Sequence, residues 1–330
     1  MPILLTEDDV RALVTMDDLI DTMERALSEF SAREVAQPLR SVLEIGPQKS
    51  YFGVMPASIP SLPALGTKLV TVFGSNPERG LPTHLATIIL LDPDTGALLA
   101  IVDGRYITEA RTAATSAVSV KHLARTDAGV LALIGSGVQA RSHLEAIARV
   151  RQLREVRVWS RSADNRNAFV RDMQSHTGAP LRATASAEEA VRGADIVALV
   201  TAAREPVVRN EWISNGTHLC AVGACRPDQR EMAAALVARS LLYVDSRQGA
   251  LAEAGDIVLA MKDGAITPSH IVGELGELVA GTCRRRGSDD QVTIFKSLGM
   301  AVEDVAAAHL AYARAVERGV GSRFTVNPEP

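Results

Sequence analysis

Hydrophobic and polar positions follow two different rhythms along the chain, and the first of them occupies the N-terminal third. Behind the capping residue Thr15, apolar residues recur at helical spacing from Met16 to Leu27, with acidic residues in the first turn. From Leu39 to Val102 the pattern changes to short β-rich runs, at 40–45, 66–73, 86–91 and, after the turn Pro93-Asp94-Thr95-Gly96, 97–102. Residues 1 to about 105 therefore predict an α+β domain around an antiparallel or mixed sheet.

The region that follows alternates between buried strands and helices. The segment Tyr106 to Ala124 is rich in Ala and Thr and predicts a helix that leads into it. Val130 to Ile134 is an uninterrupted apolar run, typical of a strand buried on both faces of a parallel sheet, and similar runs recur at 156–159, 195–200, 218–222 and 241–244. Helical patterns lie between several of these runs, notably at 142–150 and 230–238. This alternation predicts a doubly wound α/β domain.

The last long element, Leu298 to Val316, is Ala-rich and amphipathic. Since 330 residues exceed the usual size of a single core, two domains are expected. We predict that the last helix returns to the first domain, so that a doubly wound domain at 116–299 is inserted into an α+β domain formed by 1–115 and 300–330. Residues 323–330 predict a loose tail.

Composition and charge exclude several classes of protein. With 47% hydrophobic and 22% charged residues the chain can form sizeable cores, and its net charge of -4 provides no basic field for nucleic acid. The N-terminus lacks the basic start of a signal peptide, and no run reaches the roughly 18 apolar residues of a membrane span. Three cysteines without CxxC spacing argue against a disulfide framework and against a zinc site. We expect a cytoplasmic protein without a metal, a nucleic acid or a membrane partner.

A glycine-rich turn follows the first buried strand and opens a helix. It reads Gly135-Ser136-Gly137-Val138-Gln139-Ala140, a G-x-G-x-x-A string. In this context the first glycine permits a tight turn, the second lets backbone amides approach a pyrophosphate, and the alanine allows close packing of helix and sheet. The sequence therefore predicts a Rossmann-type nicotinamide dinucleotide site.

The end of the next strand indicates which dinucleotide is bound. The residues there are Ser160, Arg161 and Ser162, whereas an NAD site usually has a carboxylate that binds the ribose 2′-hydroxyl. Without that carboxylate, and with a guanidinium suited to a phosphate, NADPH is favoured over NADH. The alternative for Arg161 is a solvated surface arginine.

Three basic residues lie in apolar or strand-like settings, where an unpaired charge is unfavourable: Arg40, Lys68 and Arg111. They could be surface or salt-bridged residues, or they could face a ligand, and composition alone does not decide between these possibilities.

Several strings resemble the ornithine cyclodeaminase/mu-crystallin family. The most specific is Phe295-Lys296-Ser297-Leu298-Gly299-Met300-Ala301-Val302-Glu303-Asp304. The others are the glycine turn and the segments 107–114, 223–231, 243–246 and 252–256. The resemblance runs in order from about residue 40 to about 310, nearly the whole chain.

The resemblance implies a homodimer whose first domain supplies the subunit contact and half of the active site, while the Rossmann domain supplies the rest. It implies that Arg40, Lys68 and Arg111 bind a substrate carboxylate. It also implies three sets of cofactor contacts. Arg111 and Thr112 would lie near the phosphates, Ser297 near the nicotinamide, and Val200 and Thr201 at the end of a strand that borders the cofactor.

One position bears on the reaction. Ornithine cyclodeaminases carry an aspartate as general base and, four residues on, a lysine, where this chain has Cys225 and Gln229. Without that base, reduction of a preformed cyclic imine is favoured over cyclodeamination, because it needs only a hydride and a protonated nitrogen. The 223–231 string is also closer to the ketimine reductase branch, where this position is a small hydroxyl residue.

We therefore predict NADPH-dependent reduction of Δ1-pyrroline-2-carboxylate to L-proline or Δ1-piperideine-2-carboxylate to L-pipecolate, with Lys68 also delivering or stabilising a proton. The alternatives are an ornithine cyclodeaminase, an alanine or N-alkyl amino acid dehydrogenase, and a non-catalytic NADP(H)-binding protein. Cys225 is expected to line the pocket rather than act as a nucleophile. His84 could face the site, but a lone histidine is more often structural.

Overall fold

The computed structural model describes residues 1–47 and 50–326. The strands in chain order are β1 Ile3–Leu5, β2 Ser41–Ile45, β3 Ser50–Ile59, β4 Ala64–Val72, β5 His84–Leu91, β6 Leu98–Asp103, β7 Val130–Ile134, β8 Glu155–Trp159, β9 Leu181–Ala183, β10 Ile196–Leu199, β11 His218–Ala221, β12 Leu241–Val244, β13 Ile271–Glu274, β14 Thr293–Lys296 and β15 Ser322–Arg323. The helices are α1 Glu7–Leu13, α2 Met16–Ser31, α3 Arg105–Leu123, α4 Val138–Val150, α5 Ala163–Met173, α6 Ala187–Val191, α7 Ala234–Arg239, α8 Arg247–Glu253, α9 Gly255–Lys262, α10 Leu275–Ala280 and α11 Ala301–Arg318.

The first compact unit comprises Met1–Arg111 and Met300–Pro330. Its sheet has the order β15-β1-β6-β5-β4-β3-β2, in which β2 to β6 are antiparallel neighbours and β1 runs parallel to β6. Helix α11 packs on β3 and β4, where Gly66 allows a close approach: a Cβ added there would lie 3.5 Å from Val305 and 2.5 Å from a carbonyl of β5. The last helix thus completes the core of the N-terminal unit.

Two parts of this unit differ from the sequence prediction. The periodicity does not predict β3, because Gly53 and Pro56 interrupt it, yet β3 is the longest strand of the described sheet. The loose tail predicted at 323–330 is wrong at its start, since Arg323 pairs with Ile3 in an antiparallel bridge. Residues 327–330 of that prediction lie outside the described residues.

The second unit, Thr112–Gly299, contains a parallel sheet of order β13-β12-β14-β11-β10-β7-β8-β9. Adjacent strands pair in parallel, and two apolar cores cover the two faces of the sheet. The predicted doubly wound α/β arrangement is confirmed. Strands β9, β13 and β14 add to the strands that the sequence predicts.

The helix predicted at 230–238 begins only at Ala234. The backbone N–H groups of Glu231 and Met232 donate to Oδ1 of Asp256, at 2.8 and 3.0 Å, so the first part of that segment is held in a non-helical conformation. An apolar pattern cannot report such a side-chain acceptor, which lies 24 or more residues away in the chain.

Neither a membrane-spanning helix nor a metal-binding cluster occurs in the described part of the chain. None of its helices is both long and apolar enough to cross a bilayer. No group of three or more His, Cys, Asp and Glu side chains there could hold a metal ion. Cys220, Cys225 and Cys283 are not joined by disulfide bonds.

Candidate active site

The first unit contains a buried cluster of four charged side chains. Lys68 on β4 contacts Oδ2 of Asp304 through its Nζ atom. Arg111 on α3 donates from Nε to Oδ1 of Asp304 at 2.8 Å and from Nη1 to Oε2 of Glu303 at 2.5 Å. Lys68 is 2% exposed and Arg111 4%, and both carboxylates are fully buried. Asp304 therefore bridges Lys68 and Arg111, two of the three cations that the family resemblance implies as binders of a substrate carboxylate.

The local fold explains why the two carboxylates are tolerated without solvent. Glu303 and Asp304 lie in the first turn of α11, where the helix dipole favours negative charge, and Glu303 also accepts the Met300 backbone N–H at 3.3 Å. Lys68 projects from the buried face of β4, the face that also carries Gly66. Two buried cations thus meet two buried anions.

Burial governs the proton equilibrium of Lys68. Burial, and to a smaller extent the positive charge of Arg111, lower the pKa of the ammonium to about 8, whereas the negative charge of Asp304 raises it. Although burial works the other way, Arg111 and Lys68 hold the pKa of Asp304 below its ordinary value. An ammonium has three N–H donors, so a Lys68 that contacts Asp304 retains capacity to bind an anionic ligand and to transfer a proton near neutral pH.

The other two candidates of this unit lie nearby in the chain but differ in setting. Arg40, which the sequence places on an early strand, lies one residue before β2 and is partly exposed. His84 is the first residue of β5 and pairs with Val72 of β4. Val72 lies four residues after Lys68 and therefore on the same face of β4. Burial, and then the positive charges of Lys68 and Arg111, lower the pKa of His84 to about 4, so its imidazole is neutral at pH 7.

In the second unit the glycine turn has the geometry of a dinucleotide cradle. Gly135 has φ 123°, and a Cβ there would lie 2.8 Å from the carbonyl oxygen of Val200, so the turn and the end of β10 need a glycine. Gly137 is the N-cap of α4, and a Cβ there would meet no protein atom within 4 Å. Protein packing does not demand Gly137, whereas a closely approaching pyrophosphate would. Val138 beside it is 51% exposed.

The end of β8 joins this turn through hydroxyl groups. Ser136 donates to Oγ of Ser160 at 2.8 Å, and Ser160 donates to the carbonyl of Ser162 at 3.2 Å. Ser162 caps α5 by accepting the N–H of Asn165. Arg161 between them is exposed. Ser160, Arg161 and Ser162 thus offer hydroxyl groups and a guanidinium beside the turn, and none of these three residues carries a carboxylate.

Further polar groups in this unit fit a nicotinamide dinucleotide. Oγ of Ser297 and Oε1 of Gln139 are buried and have no hydrogen-bond partner among the described residues. Ser297 follows β14 and Thr201 follows β10, so both lie at the carboxyl edge of the parallel sheet, where dinucleotides bind in such folds. Thr112, in the middle of α3, is also buried. The Ser297 hydroxyl can donate to or accept from a polar ligand, and Oε1 of Gln139 can accept from one, without rearranging the backbone.

Cys225 lies in the loop after β11 and is partly exposed. Its Sγ donates to the carbonyl of Val222 at 3.0 Å. A thiol that donates to a carbonyl cannot replace the general base of a cyclodeaminase.

The sequence interpretation missed two sets of acidic residues. It used Glu303 and Asp304 only as part of a resembling string, and it gave no role to Glu231, whose carboxylate binds the ends of β10 and β11. A signal existed in the first case: two adjacent acids flanked by Ala301, Val302 and Val305 at the start of an apolar helix indicate buried carboxylates that need cations.

Comparison with known proteins agrees with this architecture. The chain is 42% identical to the ketimine reductase mu-crystallin of Rattus norvegicus over 315 residues, which covers 94% of this chain and 96% of that protein. The structure of Thermococcus litoralis Δ1-pyrroline-2-carboxylate reductase in complex with NADH and L-proline superposes with a TM-score of 0.95 at 40% identity, covering 98% of this chain and all of that one. An archaeal alanine dehydrogenase dimer with bound NAD has a TM-score of 0.94 at 33% identity and covers 99% of each chain.

These relatives confirm the predicted fold class, the oxidoreductase class and the use of a nicotinamide cofactor. The family model agrees with them and spans residues 1–319, almost the full length. The chain therefore belongs to the ornithine cyclodeaminase/mu-crystallin family, as the resembling strings predict.

Proposed function

We propose that this enzyme reduces the C=N bond of a cyclic ketimine carboxylate with a hydride from NADPH. The products would be L-proline from Δ1-pyrroline-2-carboxylate and L-pipecolate from Δ1-piperideine-2-carboxylate. The observation that supports this most directly is the buried Lys68–Asp304–Arg111 cluster, which offers two fixed cations to a small carboxylate. The names of the rat and Thermococcus relatives point to the same substrate class.

The cluster gives each side chain a definite task. Arg111, fixed by two carboxylates, presents a rigid guanidinium to the substrate carboxylate, and Arg40 adds a second one from the start of β2. Lys68 binds the same carboxylate and can place its proton on the imine nitrogen, because its pKa lies near 8. A bound dinucleotide supplies the hydride that reduces the imine carbon. The C=N bond thereby becomes CH–NH, with one hydride and one proton consumed.

The assignment of units follows from this division of tasks. The unit that contains Lys68 and Arg111 would bind the substrate, and the unit that contains the glycine turn would bind the cofactor through Gly135, Gly137, Val138 and Gln139. Contacts from Arg111, Thr112, Val200, Thr201 and Ser297 would complete the cofactor site.

The preference for NADPH over NADH rests on the end of β8. Ser160, Arg161 and Ser162 place hydroxyl groups and one exposed guanidinium where a 2′-phosphate would bind, and no carboxylate there would repel it.

We propose a homodimer in which β2 forms part of the contact. All five residues of β2 are exposed, Val42 and Leu43 among them, and the strand is an edge of its sheet with β3 on one side only. The archaeal alanine dehydrogenase relative is described as a dimer. Sedimentation of the wild type and of Leu43→Glu tests this: a dimer that becomes a monomer supports it, and a wild-type monomer contradicts it.

Two other reactions remain as outcomes of the same assay. An alanine dehydrogenase is favoured by the likeness to the archaeal enzyme, and it would reduce NAD(P)+ with alanine or an N-alkyl amino acid. A cyclodeaminase would release ammonia from ornithine, but Cys225 and Gln229 lack the carboxylate and the amine expected there.

The decisive experiment measures NADPH and NADH consumption with the two cyclic imines side by side. We expect turnover with at least one imine, loss of turnover in Lys68→Ala, and full activity in Lys262→Ala, an exposed lysine of the other unit. No oxidation of NADPH or NADH with either imine, together with ammonia release from ornithine or reduction of NAD(P)+ by alanine, would overturn the proposal. Cofactor binding without any turnover would indicate a binding protein.

A further inference from the structure

Glu231 joins the ends of two parallel strands in the second unit. Its Oε1 accepts the backbone N–H of Thr201 at 2.6 Å and the Thr201 hydroxyl at 2.7 Å, while Oε2 accepts the backbone N–H of Gly223 at 2.8 Å. Thr201 follows β10 and Gly223 follows β11, and Glu231 is fully buried. One carboxylate thus fixes two chain segments at the carboxyl edge of the sheet.

The approach of these segments is closer than a side chain would allow. A Cβ added to Gly223 would lie 1.9 Å from the carbonyl oxygen of Thr201 and 2.6 Å from Oε1 of Glu231. Only glycine leaves space for this contact, so the carboxylate and the glycine together define the path of the chain after β10.

A second layer of buried charge holds Glu231 in place. Oδ1 of Asp256 on α9 accepts the backbone N–H groups of Glu231 and Met232, and Lys296 on β14 lies 3.4 Å from Oδ2 of Asp256. Burial, and then the negative charge of Asp256, raise the pKa of Glu231 to about 7, whereas Lys296 lowers it. Lys296 is the last residue of β14, and the next residue is Ser297, whose buried hydroxyl has no hydrogen-bond partner among the described residues.

We propose that Glu231 is a positioning residue that holds the ends of β10 and β11 in the conformation that binds the dinucleotide. The inference rests on the proposed cofactor contact at Thr201. Glu231 touches neither cofactor nor substrate in this proposal; it acts through the backbone of Thr201 and Gly223.

The same unit provides a matched control at the opposite edge of the sheet. Oδ2 of Asp195, which precedes β10, accepts the backbone N–H groups of Gly129 and Val130 at 2.9 Å each, and its Oδ1 accepts from Arg125 at 2.7 Å. Like Glu231, Asp195 therefore accepts two backbone N–H groups, together with side-chain donors from Arg125 and Arg154, but it does so at the amino ends of β7 and β10.

The test compares the isosteric variants Glu231→Gln and Asp195→Asn. In each, an amide NH2 group replaces an accepting oxygen and faces a donor, so both variants should lower the melting temperature. We expect the Kd for the reduced dinucleotide that the wild type binds more tightly, NADPH or NADH, to rise about tenfold or more in Glu231→Gln when measured by fluorescence titration. In Asp195→Asn it should stay within about twofold of wild type. Equal Kd values for Glu231→Gln and wild type, or equal losses in the two variants, would overturn the inference.

The outcomes remain distinguishable from failure of the proposed function. A wild-type chain that binds neither NADH nor NADPH overturns both the cofactor proposal and this inference, whereas a wild type that binds NADH but reduces no imine leaves this inference testable in full. If Glu231→Gln does not fold, Glu231→Asp takes its place, because it keeps the charge but is one methylene too short to reach both strand ends. A Kd within twofold of wild type in Glu231→Asp then contradicts the proposal.

Discussion

The charged cluster of the first unit and the glycine turn of the second would bind ligands by opposite physical means. Around Lys68 and Arg111, binding would depend on full charges, which the buried carboxylates Glu303 and Asp304 compensate. At Gly135 and Gly137, binding depends on uncharged backbone N–H groups and on space. The cluster should therefore respond to any change of charge, and the turn to any change of volume.

The largest expected effect comes from removing the bridging carboxylate. In Asp304→Asn two buried cations lose their shared anionic partner. Breaking a buried ion pair in this way costs about 3–5 kcal/mol of folding free energy, so the melting temperature should fall. We also expect kcat/KM for the imine to fall by about a hundredfold or more. The Kd for NADPH should change much less than kcat/KM, because Arg111, which is also proposed to contact the cofactor, keeps its bond to Glu303.

Asp18→Asn is the matched control. Asp18 pairs with Arg314 through two 2.6 Å bonds in the same unit, but both side chains are partly exposed. That variant should lose some stability and keep its kcat/KM. If Asp304→Asn were as active as Asp18→Asn, the cluster would have no part in substrate binding.

A methyl group at Gly137 tests whether the glycine turn responds to a change of volume. Because no protein atom lies within 4 Å of the added Cβ, and φ is an ordinary -86°, Gly137→Ala should leave the melting temperature unchanged. It should raise the Kd for NADPH by about tenfold, since the methyl group occupies the space of the pyrophosphate. Gly178→Ala, equally free of neighbours in the same unit, should change neither quantity. Unchanged cofactor affinity in Gly137→Ala would remove the pyrophosphate from this turn.

The response to pH should separate the two regions further. The pKa of Lys68 is lowered to about 8, so its ammonium is lost as the pH rises through that value, and kcat/KM for the imine should fall about tenfold per pH unit above it. The Kd for NADPH should stay flat from pH 8 to 10, where Glu231, whose pKa is raised to about 7, remains ionised. In Lys68→Arg, whose guanidinium stays charged, the decrease should move to higher pH or disappear, and an unmoved decrease would assign it to another group.

The smallest expected effect concerns the choice of dinucleotide. Because Arg161 is exposed, its contact with a phosphate is screened by solvent, and Arg161→Ala should raise the Kd for NADPH by only about fivefold. The Kd for NADH serves as the internal control and should not change. A parallel change in both would mean that Arg161 does not contact the 2′-phosphate.

The sequence alone predicts those parts of the molecule whose structure depends on the local pattern of apolar and polar residues. The parallel strands at 130–134 and 241–244 have the predicted bounds, because continuous apolar runs between turns leave few alternatives. The sequence does not predict strand β3, because Gly53 and Pro56 interrupt its pattern, although both residues pair with residues of β4 in the sheet.

The site also has a part that depends on local sequence, which can be predicted, and a part that depends on tertiary structure, which cannot. The glycine turn is a contiguous string with a mechanism, so its residues could be named directly. Lys68 and Asp304 are 236 positions apart by their numbers in the chain, and the pairing of a cation with its carboxylate over that distance is a property of the tertiary structure. Glu231 and Asp256 raise the same difficulty, since each acts on backbone groups elsewhere in the chain.

The compensation of charge around Lys68 and Arg111 also has a consequence for encounter rates. Two positive and two negative side chains sum to zero, so the cluster projects little field into solvent and cannot attract an anion over a Debye length, about 8 Å at physiological ionic strength. A carboxylate would gain its attraction only once inside, at close range. The association rate of the imine should therefore depend weakly on salt, even though the residues that receive it are fully charged.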